Sequence, residues 1–147
     1  MTRHRRAQIR DDIVARLADI AGVRQVYKNL DNGIIDKHLP LVNVVIASET
    51  SEFNDFERDY RRMAAIDIHQ VTGSLWGDTV DDLDNFAAEV ERTMAQIPAN
   101  SLYQDSPVLT ETEPMILTEG AKSYGMIRLR YDAVYRTRFS DPTQAPT

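Results

Sequence analysis

YGMIRLRYDAVYRT, residues 124–137, decides the fold. Ile127, Leu129, Tyr131, Ala133 and Tyr135 fall on one side of a period-two pattern, and Arg128, Arg130, Asp132, Val134 and Arg136 on the other. Side chains alternate between the faces of a sheet, so this segment reads as a strand with one face on a core and a charged face turned elsewhere. Just upstream, 107–119 is a strand of acidic character (Glu111, Glu113) interrupted by Pro114. Gly120 and Ser123 fold the two into a hairpin.

Outward from this hairpin the pattern alternates between helix and strand. Ile9, Ile13, Leu17 and Ile20 recur at spacings of three and four, with Val14 widening the stripe and Gly22 as a stop, which predicts an amphipathic helix over 3–21. A weak alternation over 23–28 allows a short strand, and 29–39, with its Asn32-Gly33 turn dipeptide, reads as a loop. LPLVNVVIA, residues 39–47, is the strongest central strand, with Pro40 confined to its start. The polar 48–55 reads as a loop or hairpin tip, and 56–72 as a long strand whose apolar side holds Tyr60, Ala64, Ile66 and Ile68, opposite Arg61, Asp67 and His69. After a break at 73–77, a second helix starts near Asp78 or Thr79. Asp81 and Asp82 lie in its first turn, where the helix dipole favours negative charge. Leu83, Phe86, Ala87, Val90, Met94 and Ile97 form its apolar stripe and Pro98 ends it. The expectation is an α+β fold of order α-β-β-β-α-β-β: a two-layer, mostly antiparallel sheet with both helices packed on one face. Residues 1–139 are expected to form a single domain, and the polar 140–147 (SDPTQAPT) a disordered tail.

The 147 residues suit one domain with its own core, and 42% of them are hydrophobic. Cysteine is absent, which excludes disulfides, thiolate zinc sites and cysteine nucleophiles. Apolar runs are too short for a membrane helix, and the basic start lacks the apolar segment of a secretory signal, so an intracellular product is expected. A net charge of −6 disfavours general nucleic-acid binding. The charge is segregated, however. Arginines crowd the first 16 residues, acids crowd 78–91, and Lys122, Arg128, Arg130, Arg136 and Arg138 crowd the end. Opposite charges at separate places suit head-to-tail contacts between copies of one chain.

No catalytic constellation emerges. His4, His38 and His69 are scattered, and no H-E-x-x-H, G-x-S-x-G or glycine-rich phosphate loop occurs, so no catalytic residue, metal ligand or cofactor is assigned. The run 78–84 is acidic but lacks the loop glycine and terminal glutamate of an EF-hand, and its aspartates fit the dipole role better. Glu111 and Glu113 share a strand face and read as solvated edge charges. Candidate interface or pore residues are Arg61, Arg128, Arg130 and Arg136 on strand faces, Asp78, Asp81 and Asp82 at the second helix, and Trp76, which either staples the turn before that helix or anchors an interface.

Five segments occur in an order that is similar to a known family: RAQIRDDIVARL over 6–17, LPLVNV over 39–44, the Ile66/Ile68 pair, LDNFAAEVE over 83–91 and RLRYDAVYRT over 128–137. Together they resemble the tail terminator (minor tail, or tail completion) proteins of long-tailed bacteriophages and prophages. The resemblance covers nearly the whole chain and rests on core patterning and order. It implies no enzymatic activity. It also implies a homo-oligomeric ring, usually a hexamer, that caps the tail tube, stops its polymerisation and offers the surface for head joining. The implied partners are the tail tube protein and a head-completion or connector protein, with transient contact to DNA in the pore and no membrane. The implied location is the virion tail, assembled in the host bacterial cytoplasm. Two other readings stay open: another virion part, such as a head–tail adaptor or tube subunit, and a small ligand-binding or enzymatic domain.

Overall fold

The computed structural model describes residues 2–28, 34, 36–74, 79–120 and 122–146. The elements run α1 (Arg5–Ala18), β1 (Gln25–Tyr27), a 3-10 turn (Asp36–His38), β2 (Leu41–Asn54), β3 (Asp59–Ser74), α2 (Thr79–Ala95), β4 (Val108–Glu119) and β5 (Lys122–Arg138). The strands form one five-stranded sheet of order β1-β2-β3-β5-β4, in which β1 joins β2 in parallel and every other pairing is antiparallel. This is the expected α+β architecture and element order.

The helical stripes cover one face of that sheet. Ile9, Ile13 and Leu17 of α1 pack with Leu83, Ala87, Val90 and Met94 of α2 on Val42, Val44, Ala64, Ile66, Ile68, Ile127, Leu129, Tyr131, Ala133 and Tyr135. All five core positions read from β5 are buried there. Full burial of such a side chain contributes roughly 1.5–3 kcal/mol, so this layer dominates the stability of the domain. A smaller cluster of Leu41, Val71, Tyr124 and Met126, with Tyr27, Ile34, Leu39 and Met115 packed against it, lies at one end of the sheet.

α1 is capped by His4, whose Nδ1 accepts a bond from the Arg6 amide at 3.0 Å. Histidine is an unusual cap, and burial together with the neighbouring Arg6 and Arg62 charges lowers its pKa, which keeps an acceptor lone pair free. α1 is pinned to the sheet by Glu49, which accepts from Arg6 Nη1 (2.7 Å), Arg62 Nη1 (3.4 Å) and the Tyr135 hydroxyl.

Three local expectations change. Residues 48–55 are not a loop: β2 continues to Asn54, paired with Asp59, so the turn is 55–58. The segment is polar because both of its faces are largely exposed, not because the backbone leaves the sheet. Pro114 does not break β4, because an edge strand tolerates a missing donor. The expected disordered tail instead folds back. Pro142 accepts from the Arg5 amide at 3.1 Å, Gln144 from the Arg138 amide at 3.1 Å, and Ala145 from Arg138 Nε at 2.9 Å. An Asx turn, in which Asp141 accepts from the amide and hydroxyl of Thr143, shapes the segment.

Candidate functional site

Pairing register places Arg61, Asp67 and His69 of β3 beside Arg136, Arg130 and Arg128 of β5, with Glu111 and Glu113 of β4 opposite Arg130 and Arg128. Residues of one parity in β3 and β5 face the helices, so these charges share the opposite, uncovered face. The four arginines singled out in the sequence are therefore brought together.

They do not form a bare positive stripe. Asp67, only 6% exposed, receives Arg130 through two bonds, Nε at 2.7 Å and Nη2 at 2.9 Å, the planar fork that best matches a carboxylate. Arg128 reaches Glu111 at 2.7 Å and Glu113 at 2.6 Å, with Asp67 at 3.9 Å. Arg136 binds Glu57 and the buried Asp59. Arg61 is exposed and stands across from Glu52 of β2 and Arg136 of β5. The face is thus a lattice of interleaved signs, and Glu111 and Glu113, read as solvated edge charges, hold Arg128 in place.

Titration follows this geometry. Burial pushes the Asp67 carboxyl up, but the Arg130 hydrogen bonds and the charges of Arg130 and Arg128 outweigh it and leave the pKa below the ordinary value. Burial lowers His69; Asp67 opposes that, while Arg128 and Arg130 add to it, so the imidazole stays neutral at physiological pH. Among the described residues no group of three or more His, Asp and Glu side chains could hold a metal ion, and no helix is long and apolar enough to cross a membrane.

Asp81 and Asp82 sit exposed in the first turn of α2, beside the exposed Asp84, on a different part of the molecule from the arginines. Trp76 and Asp78 lie outside the described residues.

The far end of the sheet carries features that the sequence reading missed. Phe53, Tyr60 and Phe139 form a ring cluster with centroids 5.2–5.8 Å apart, with the Arg58 guanidinium over Phe139 and that of Arg62 over Tyr60, each at 5.0 Å. Phe56, in the β2–β3 turn, is 96% exposed. Three of the chain's four phenylalanines are therefore exposed at one end. The available signal was an aromatic pair spaced at 53 and 56 within a polar stretch. A groove of about 820 Å³ runs beside this cluster, between the turn, residues 100–104 and the C-terminal segment. Its charged lining residues include Arg58, Asp59, Arg136 and Arg138, of which Asp59 and Arg136 are already paired with each other.

No protein-family model matches this chain, and no curated protein sequence matches it.

Proposed function

We propose that this protein is a tail terminator of a long-tailed bacteriophage or prophage: a non-enzymatic subunit that closes into a ring on the tail tube, ends its growth and presents the surface for head joining. The family resemblance motivates the reading, and the α+β architecture it implies is the architecture of the chain. One observation carries it furthest. The charges of the two flanks of the sheet are opposite: residues 3–28, around α1 and β1, hold seven Arg and Lys against three Asp, whereas residues 79–119, from α2 through β4, hold nine Asp and Glu against one Arg. A basic flank and an acidic flank on opposite sides of one protomer favour head-to-tail, heterologous contact, which closes into a ring when the rotation allows. The uncovered sheet face suits a pore lining. Arg128, Arg130 and Arg136 are engaged there by carboxylates, so apart from Arg61 passing DNA meets no run of free cations to bind it.

The turn at 55–58, with its exposed Phe56, supplies a contact for the tube ring or the head connector at one end of such a ring. The test adds purified protein to polymerising tube protein from the same virion and follows tube length by electron microscopy. Capped tubes of arrested length bearing a terminal ring are expected. Unlimited growth with the protein absent from tube ends refutes the reading, and long cylinders of this protein alone favour a tube subunit instead.

A further inference from the structure

The sheet ends in two open and unequal edges. On one side β4 presents its whole outer edge, Val108–Glu119, with Val108 and Ile116 60% and 66% exposed. On the other side, β1 covers β2 only at 41–43, so among the described strands none lies against the outer edge of β2 over 44–54, a stretch of similar length. We propose that the β4 edge of one copy pairs antiparallel with the 44–54 edge of β2 in a second copy, so that the sheet continues from protomer to protomer. The inference rests on the ring reading above and names its seam.

Strand direction makes the two edges compatible. β2, β3, β5 and β4 are successively antiparallel, so β4 runs opposite to β2 within one copy. Rotation about an axis roughly along the strands leaves their direction unchanged. It therefore sets the neighbour's β2 antiparallel to β4, the more stable ladder, and keeps every helix on the same side of the joined sheet.

The 44–54 edge itself carries Glu49 and Glu52, so the charge that favours this pairing lies on the helix flanks and not on the strand edges. α1 packs over β1 and β2, and α2 over β3 and β5, so joining the sheets in this way turns the α2 flank of one copy toward the α1 flank of the next. Arg10 and Arg24 on the basic flank, and Asp81, Asp82, Asp84 and Glu91 on the acidic one, have no ion-pair partner among the described residues. Two β4 edges brought together would instead oppose Glu111 and Glu113 to themselves, and like charges directly across a ladder destabilise it. Pro114 removes one donor from the edge, which weakens indiscriminate strand addition and leaves the charged flanks to choose the partner.

The chain has no cysteine, so introduced thiols report the seam without background. Ser51 and Thr112 are exposed and stand on the helix-side face of their respective edges. Ser51→Cys and Thr112→Cys proteins, mixed and treated with a short bifunctional maleimide, are expected to give a covalent dimer containing one of each. The double variant should give a ladder of products ending at the ring size, and neither single variant should cross-link with itself. Self-linking of either single variant as readily as the mixture overturns the proposal, since it means like edges meet. Rings seen by native mass spectrometry without cross-linking of the double variant overturn the seam but leave the ring reading standing. A protein that neither assembles nor caps tubes overturns both.

Discussion

Asp67 shows how much of the uncovered face depends on a single side chain. It is almost fully buried, accepts both bonds of the Arg130 fork and lies within reach of Arg128. Because its folded pKa is depressed, its contribution to stability is complete above the unfolded value of about 3.9 and is lost as pH falls through the folded value. Asp67→Asn is therefore expected to lower stability at neutral pH and to flatten the decline below about pH 4, read from urea midpoints across an acid series; parallel curves for the two proteins would contradict this. Tyr103 offers a second test. Only 1% exposed, it donates to Asp12 Oδ2 at 2.7 Å and ties the 100–104 loop to α1, while burial and Asp12 push its phenol well above the ordinary value. Asp12 keeps its ion pair with Arg16 at 3.0 Å, so Tyr103→Phe leaves no orphaned charge and should cost about 1 kcal/mol in denaturant unfolding.

At the scale of elements, legibility followed the strength of the apolar pattern. Both helices and β5 were readable because one face of each is buried, which imposes a period of 3.6 or 2 on the sequence. The distal half of β2 was not readable, because a strand exposed on both faces has the composition of a loop. The charge lattice was half legible: the arginines stood out on β5, but Asp67 lies 63 positions away from Arg130, and only the strand register joins them. The C-terminal segment was misread for a related reason. Its polar, proline-containing composition suits disorder, yet bonds to its backbone carbonyls, from the Arg5 and Arg138 amides and the Arg138 side chain, hold it in place without an apolar pattern that a sequence would show. Ending the chain after Phe139 is therefore expected to cost roughly 1–2 kcal/mol and to speed amide exchange in the first turn of α1. A silent deletion in both measurements would restore the disordered reading.

At the scale of the whole molecule, the segregated flanks make association a function of ionic strength. Charges on Asp81, Asp82 and Asp84 at one side, and on Arg24 at the other, have no ion-pair partner among the described residues and gain when another copy supplies the opposite sign. Between exposed groups such attraction is screened over about 10 Å at 0.1 M salt and about 3 Å at 1 M. Apolar contacts such as those offered by Val108 and Ile116 respond differently, since salts that are excluded from the surface strengthen burial. Sedimentation velocity at fixed protein concentration should thus show the assembled species at low salt dissociating toward monomer near 1 M sodium chloride. Asp82→Lys and Arg24→Glu should each weaken assembly at low salt. A mixture of the two single variants should recover assembly when copies alternate, because the two reversed flanks then meet each other and the two unaltered flanks meet each other, and the double variant should recover by restoring opposite signs at every contact. Assembly that is indifferent to salt and to all three variants would mean that the apolar edges alone hold the copies together, and that the charged flanks serve only to keep the free chain soluble.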